Sequence, residues 1–291
     1  MIIDAHLHLW DKQHGMVNGK PVYDIGGGKS DFGGTIKQMM PAYMTDGVNS
    51  VERLIANMDF AQVNAAVVVQ EYIDGNQDDY LRKVRAEYPD RFRVCSLYEE
   101  KQPVYDQLWM DGIKICAFRL NDPDLLHHAQ AFEFAQKTGR FISIDLADGD
   151  GQTAAMQELI SQYPQVKIAI GHFGMSTTKG WQEQFKLARN PNVYVESGGI
   201  TWLYNSEYYP YPSAIRAIRE AADICGMEKL MWGSDYPRTM TAITYRMSWD
   251  FVAKSKELTE KEKQMFLNDN AKAFYGFDCL PEMPYVHHMA E

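Results

Sequence analysis

The chain is 291 residues long, 45% hydrophobic and 12% aromatic, which suffices to bury one large core or two smaller ones. Its formal net charge of −10 offers no clustered basic surface to a phosphate backbone, so a nucleic-acid partner is not expected. An acidic residue at position 4 of MIIDAHLHLW, apolar runs short of the ~20 residues that cross a bilayer, and four cysteines (Cys95, Cys116, Cys225, Cys279) without CxxC spacing predict a soluble cytoplasmic protein with reduced thiols and no membrane partner.

The first strand-like run is IIDAH, from position 2. Positions 11 to 48 follow, with GGG at 26 to 28, GG at 33 to 34 and three methionines between 39 and 44; this is too irregular for a crossover helix and reads as a long loop insertion over the first strand. Asn49 or Ser50 then caps a helix whose Leu54, Met58 and Ala61 share a face. AAVVVQ from 65, a helix near 76 to 87, FRVCSLY from 92 and GIKICAF from 112 come next. A helix opened by Asp122 and Pro123 and closed by Gly139 leads into FISIDL from 141. Helices at 152 to 162, 180 to 189, 213 to 224 and 260 to 274 alternate with VKIAIGH from 166, NVYVESG from 192 and KLMWGS from 229. Eight buried strands alternating with helices, with no linker, predict an α/β fold, a single (β/α)8 TIM barrel over positions 1 to 277; a doubly wound open sheet is the second choice. The tail from 278 to 291, carrying His287 and His288, reads as a packed or frayed extension.

Successive side chains on a strand alternate faces, so His6 and His8 point the same way, with Asp4 one step lower on that face. His172 ends the sixth strand in VKIAIGHFG and Asp235 ends the eighth in LMWGSDYP. Each falls at a C-terminal strand edge, where barrel enzymes place their sites. Singly each residue has a bland reading, a satisfied histidine or a helix cap, but three strands delivering ligand-type side chains to one rim favour a metal site of His6, His8, His172 and Asp235. Imidazole suits Zn²⁺, and one carboxylate in the set admits Mn²⁺ as well. A divalent ion there activates water and polarises a carbonyl, while Asp235 accepts the proton.

The segments IIDAHLHLWD, VERLIANMDFAQVNAAVVVQ, YPDRFRVCSLY, IGHFG, MWGSDYP and NDNAKAFYGF together resemble the amidohydrolase superfamily. The closest likeness is to its amidohydrolase-2 branch, which includes sugar-acid lactonases, pyrone-dicarboxylate lactonase and, more distantly, carboxymuconate-semialdehyde and resorcylate decarboxylases. The resemblance runs in order over nearly the whole chain. It implies metal contact from His6, His8 and Asp235, with Asp235 also the proton acceptor, and it matches His172 to the family's strand-6 histidine. On strand 5 the chain departs: FISIDLAD offers Asp145 or Asp148 where the decarboxylase members carry a metal-binding histidine. The lactonase-like members also lack that histidine, and some work with a loosely held ion or none. Without a tight ion, His172 and His8 would polarise the carbonyl themselves. Lys114 on strand 4 is a candidate for the carbamylation seen in other branches.

The expected activity is therefore metal-dependent hydrolysis of a carbonyl ester, a lactone of a sugar acid or of a small carboxylated ring. The rival readings are a non-oxidative decarboxylase and a non-catalytic binding barrel. Arg119 and Arg238 are candidates to clamp a substrate carboxylate, and Trp10 and Trp202, with Tyr204, Tyr208 and Tyr209, to stack on a ring. Gln70, Glu71 and Glu196 can each bond a hydroxyl, and nothing ranks them. Aromatics in the 202 to 212 loop make a homodimer the expected assembly.

Overall fold

The computed structural model describes residues 1–107, 110–287 and 289; His288 of the tail's histidine pair lies outside the described residues. Eight strands pair in parallel in chain order: β1 (Ile3–Leu7), β2 (Ala65–Val68), β3 (Phe92–Leu97), β4 (Gly112–Cys116), β5 (Phe141–Asp145), β6 (Ile168–Ile170), β7 (Val193–Glu196) and β8 (Leu230–Met231). β8 returns to β1 through three backbone bonds, Ala5 N–H to Trp232 O (2.8 Å), Asp235 N–H to His6 O (2.9 Å) and His8 N–H to Tyr236 O (2.9 Å). The sheet thus closes into the expected (β/α)8 barrel. Every residue of β1, β2, β4, β5 and β6 is buried, because helices cover the outside of a parallel sheet whose inside is already filled.

The helices include α1 (Val51–Ala61), α2 (Asp78–Glu87), α3 (Ala129–Thr138), α4 (Thr153–Gln162), α5 (Gln182–Leu187) and α6 (Pro212–Cys225). In α1, Leu54, Met58 and Ala61 lie buried as their spacing requires. α3 starts later than Asp122 and Pro123 suggest. The Asp124 carboxylate instead accepts the Leu126 N–H and opens a 3₁₀ turn, Leu125–His128, from which α3 continues to the left-handed Gly139 (φ 69°).

Two local expectations change. The pairing of β1 with β2 shifts register between Asp4 and Leu7, so that Asp4 faces Ala66 and Leu7 faces Val68. Ala66 and Val68 share a face, which places Asp4 on the side of Leu7 and not on that of the histidines. There its carboxylate accepts from Ser234 N–H (2.9 Å) and Tyr245 O–H (2.7 Å), and burial pushes its pKa up to about 7 against those bonds.

The second change is in positions 11 to 48, which carry a four-stranded antiparallel sheet and not a loop: Met16–Val17, Lys20–Gly26, Lys29–Phe32 and Ile36–Gln38. Its strands are largely exposed, so they lack the apolar alternation that marks a strand in sequence. Trp10 fastens the insertion to the barrel. It is fully buried, packs on Met40 and Met44, and donates its indole N–H to Gly47 O (2.8 Å).

Among the described residues, no helix is long and apolar enough to cross a membrane. Trp10→Ala should cost about 3–5 kcal/mol, the usual penalty for emptying a buried aromatic site, read as a lower urea midpoint; a midpoint within error of the parent would show that the anchor is dispensable.

Candidate active site

The rim at the C-terminal ends of β1, β5, β6, β7 and β8 gathers a cluster of buried polar side chains. His6 Nδ1 donates to the Glu196 carboxylate on β7 at 2.6 Å. A carboxylate only accepts, so this bond fixes the His6 tautomer and leaves the lone pair on Nε2. That Nε2 lies 3.2 Å from His8 Nε2, which is itself 3.0 Å from Asp235 Oδ1. His6 Nε2 and Asp235 Oδ1 are 3.9 Å apart. The other Asp235 oxygen accepts the Trp202 indole N–H at 2.9 Å. Arg238 stands 3.8 Å from Asp235 Oδ1 and pairs with Asp74 at 2.7 Å.

The backbone is bent to make this possible. His172 (φ 53°) and Asp235 (φ 59°) both take the left-handed conformation just past their strand ends, a local cost of about 1–3 kcal/mol each. Glycines leave the required room: a Cβ at Gly198 or Gly233 would lie 2.8 Å from His6 side-chain atoms, and one at Gly171 would lie 2.0 Å from an Asp145 oxygen.

His172 reaches the rim but joins a second group. Its Nδ1 donates to Gly198 O (2.9 Å) and its Nε2 lies 3.5 Å from Asp145 Oδ2. Three of the four expected ligands therefore form one trio, His6–His8–Asp235, and His172 falls in a second with His6 and Asp145. Two of the three separations in the first, 3.2 and 3.0 Å, match the roughly 3–3.6 Å between ligand atoms of an ion bound at about 2.0–2.2 Å, and the third, 3.9 Å, is slightly wider. Glu196 orients His6 as an outer carboxylate does in such sites. His8 Nδ1 is buried with no hydrogen-bond partner among the described residues, so the second imidazole is less firmly oriented. This trio could hold a divalent ion.

Asp145 stands at the strand-5 position where the decarboxylase members carry a histidine, and Lys114, fully buried, donates to it at 2.6 Å. Burial disfavours the Lys114 charge, but Asp145 outweighs it and raises the pKa. Carbamylation needs a neutral amine, so the pairing removes Lys114 from that role.

Burial raises Asp145 and Asp235 as well, yet Lys114 and His172 hold the first, and His8 and Arg238 the second, well below the usual carboxylate range. Burial and Arg238 drive His8 down, leaving it neutral. Burial also lowers His172, but the adjacent Asp145 carboxylate overcomes it and pushes the pKa up to about 9.

A cavity of about 260 Å³ opens over the cluster, with His8, Asp145, His172, Trp202 and Asp235 in its wall. Arg119 and Arg238 line it too, both ion-paired, Arg119 with Glu71 at 3.0 Å. Trp10 does not line it, because its indole belongs to the anchor described above. Tyr204 and Tyr209 are bonded elsewhere, to Ser176 and Asp250, and Tyr208 is exposed. Gln70 serves the loop after β2, donating to Asp78 and accepting from Gln77 N–H. Glu196 was not ranked in the sequence; the signal was Gly198 and Gly233, which give His6 and Glu196 room to meet. Asp74, the partner of Arg238, carried no signal, nor did the insertion residues Phe32, Lys37 and Met39 that line the cavity.

A parallel barrel with a carboxylate–imidazole cluster at this rim is an architecture suited to an enzyme site. The amidohydrolase family model matches residues 3–277, and the chain belongs to that family. An uncharacterised protein of Sinorhizobium fredii is 24% identical over 94% of this chain and 98% of its own. L-fucono-1,5-lactonase of Burkholderia ambifaria is 25% identical over 43% of this chain and 46% of its own. Among solved structures, an amidohydrolase of Burkholderia multivorans with bound zinc is similar at a TM-score of 0.68 and 15% identity, covering 97% of this chain and 100% of the other. A probable 2-pyrone-4,6-dicarboxylic acid hydrolase of Acinetobacter baumannii is similar at a TM-score of 0.66 and 18% identity, covering 94% and 99%.

His172 should titrate near pH 9 in metal-free protein, seen in ring nitrogen shifts, and Asp145→Asn should bring the midpoint down. The sign for stability follows. A histidine raised from 6.5 to about 9 lends stability that is complete below pH 6.5 and lost as pH rises through 9. A titration midpoint below 7 would contradict the Asp145 pairing.

Proposed function

We propose that this chain hydrolyses a lactone, of a sugar acid or of a small carboxylated ring, using Asp235 as the proton acceptor. The observation that carries this reading is a buried, ionised carboxylate in the wall of a small cavity, bonded by His8 and Trp202 and facing a protonated His172. The lactonase and pyrone-dicarboxylate hydrolase among the similar proteins point the same way.

Water beside Asp235 delivers its proton to the carboxylate as its oxygen attacks the ester carbonyl. A carboxylate held so acidic keeps a proton only briefly, so it passes the proton on to the ring oxygen as that bond breaks. Protonated His172 lies where negative charge on the carbonyl oxygen is stabilised, in a site where burial strengthens the attraction. Trp202 and Arg238 keep Asp235 aimed throughout. His6, His8 and Asp235 would hold a divalent ion, zinc or manganese, which when bound supplies Lewis acidity.

With a panel of lactones and a pH indicator, Asp235→Asn should lower kcat by at least about a thousandfold while the unfolding midpoint stays in the range of a folded protein. Carbon dioxide release from a hydroxybenzoate, with no acid released from any lactone, would replace hydrolysis with decarboxylation. Glu196→Gln should weaken zinc binding about 10- to 100-fold, measured by competition with a chelator; unchanged affinity would remove His6 from the ligand set.

A further inference from the structure

Besides His172, which faces Asp145 at 3.5 Å, three cationic side chains line the cavity, Arg119, Arg238 and Lys37. Two are already neutralised. Arg119 lies 3.0 Å from Glu71, and Arg238 lies 2.7 Å from Asp74 and 3.8 Å from Asp235. A substrate carboxylate drawn to either arginine would come to rest beside a fixed carboxylate, which offsets the attraction. Lys37 differs. It enters from the strand Ile36–Gln38 of the inserted sheet, with its ammonium 5.3 Å from the centre of the Phe32 ring, and it forms no ion pair with a described residue. Asp148, the exposed carboxylate that follows β5, also lines the cavity and repels an anion from its own side.

The sheet that carries Lys37 is held in register with the reacting centre. Ser30 Oγ donates to Gln13 Oε1 (2.6 Å), Gln13 Nε2 donates to Asp74 Oδ1 (3.0 Å), and Asp74 takes Arg238. Ser30, Gln13 and Asp74 are all buried. A continuous run of polar contacts therefore leads from the inserted sheet to the neighbour of Asp235, so the Lys37 wall is a fixed part of the cavity.

We infer that Lys37 is the specificity residue that reads a carboxylate on the substrate, and that the preferred lactone bears such a group apart from its ester. This rests on the lactone reading above. Galactono-1,4-lactone and galactaro-1,4-lactone serve as probes, because they differ only in a terminal CH₂OH or carboxylate. Lys37→Met should raise KM for galactarolactone about fivefold, the scale of one partly exposed charge pair, with kcat unchanged and both constants for galactonolactone unchanged. Lys37→Arg should restore the parent value. Raising salt from about 50 to about 500 mM should weaken galactarolactone use by the parent and not by the methionine variant.

An equal change for both lactones, or no change for galactarolactone, overturns the assignment. Turnover of neither lactone by the parent defeats the hydrolytic reading instead, and calorimetric binding of galactarate then decides Lys37 by itself: binding about fivefold weaker to Lys37→Met sustains it, whereas equal or absent binding ends it.

Discussion

Asp235 is a carboxylate with 2% of its surface exposed, and such a group is tolerable only when its charge is met from several sides. Removing one partner from a buried pair typically costs about 3–5 kcal/mol, because the remaining charge has lost its water and gained nothing. Here the partners come from separate parts of the chain: His8 past the end of β1, Trp202 from the turn after β7, and Arg238 from the segment after β8. The backbone N–H of Asp235 also donates to His6 O, at the seam where β8 returns to β1. Asp235 thus supplies one of the three backbone bonds that close the barrel and also carries the buried carboxylate, so an error in either would be felt in both.

The same pairing extends outward. Arg238 neutralises Asp235 only because Asp74 holds its other end, and Asp74 is held by Gln13, which is bonded to Ser30 in the inserted sheet. The insertion contributes little to the hydrophobic core beyond Trp10 and the methionines packed on it. Its role is polar and positional: a wall over the mouth, tied to the centre by buried hydrogen bonds that lose most of their worth if any member is left unpaired.

The barrel itself was legible because buried parallel strands are short, rich in branched residues and regularly spaced; the eight runs beginning at IIDAH and ending at KLMWGS coincide with the eight strands. The placement of His6, His8, His172 and Asp235 at the rim was legible because each lies near or just past the C-terminal end of a strand, and position on a strand fixes which rim a side chain reaches. What escaped depended on register or on distant partners. Asp4 changed face through a one-residue shift that no local pattern announces. The inserted sheet hid behind exposed, glycine-punctuated strands. Trp10 read as a stacking residue but is an anchor, because its partner Gly47 lies 37 residues away. Glu196 could not be ranked above Glu71 until the fold brought it against His6.

The aspartate on β5 has its own physical logic. A histidine at that position would be neutral on its own, whereas Asp145 brings a full negative charge into a site where it is 3% exposed. Such a carboxylate demands a cation, and the neighbouring strand supplies one in Lys114, equally buried and 2.6 Å away. The exchange has a consequence for His172. With Asp145 ionised 3.5 Å from its Nε2, the imidazole is held in its charged form, and the rim gains a positive group in the same cavity wall as Asp235. The departure from the histidine pattern on β5 thus leaves positive charge on the chain's own side chains, Lys114 and His172.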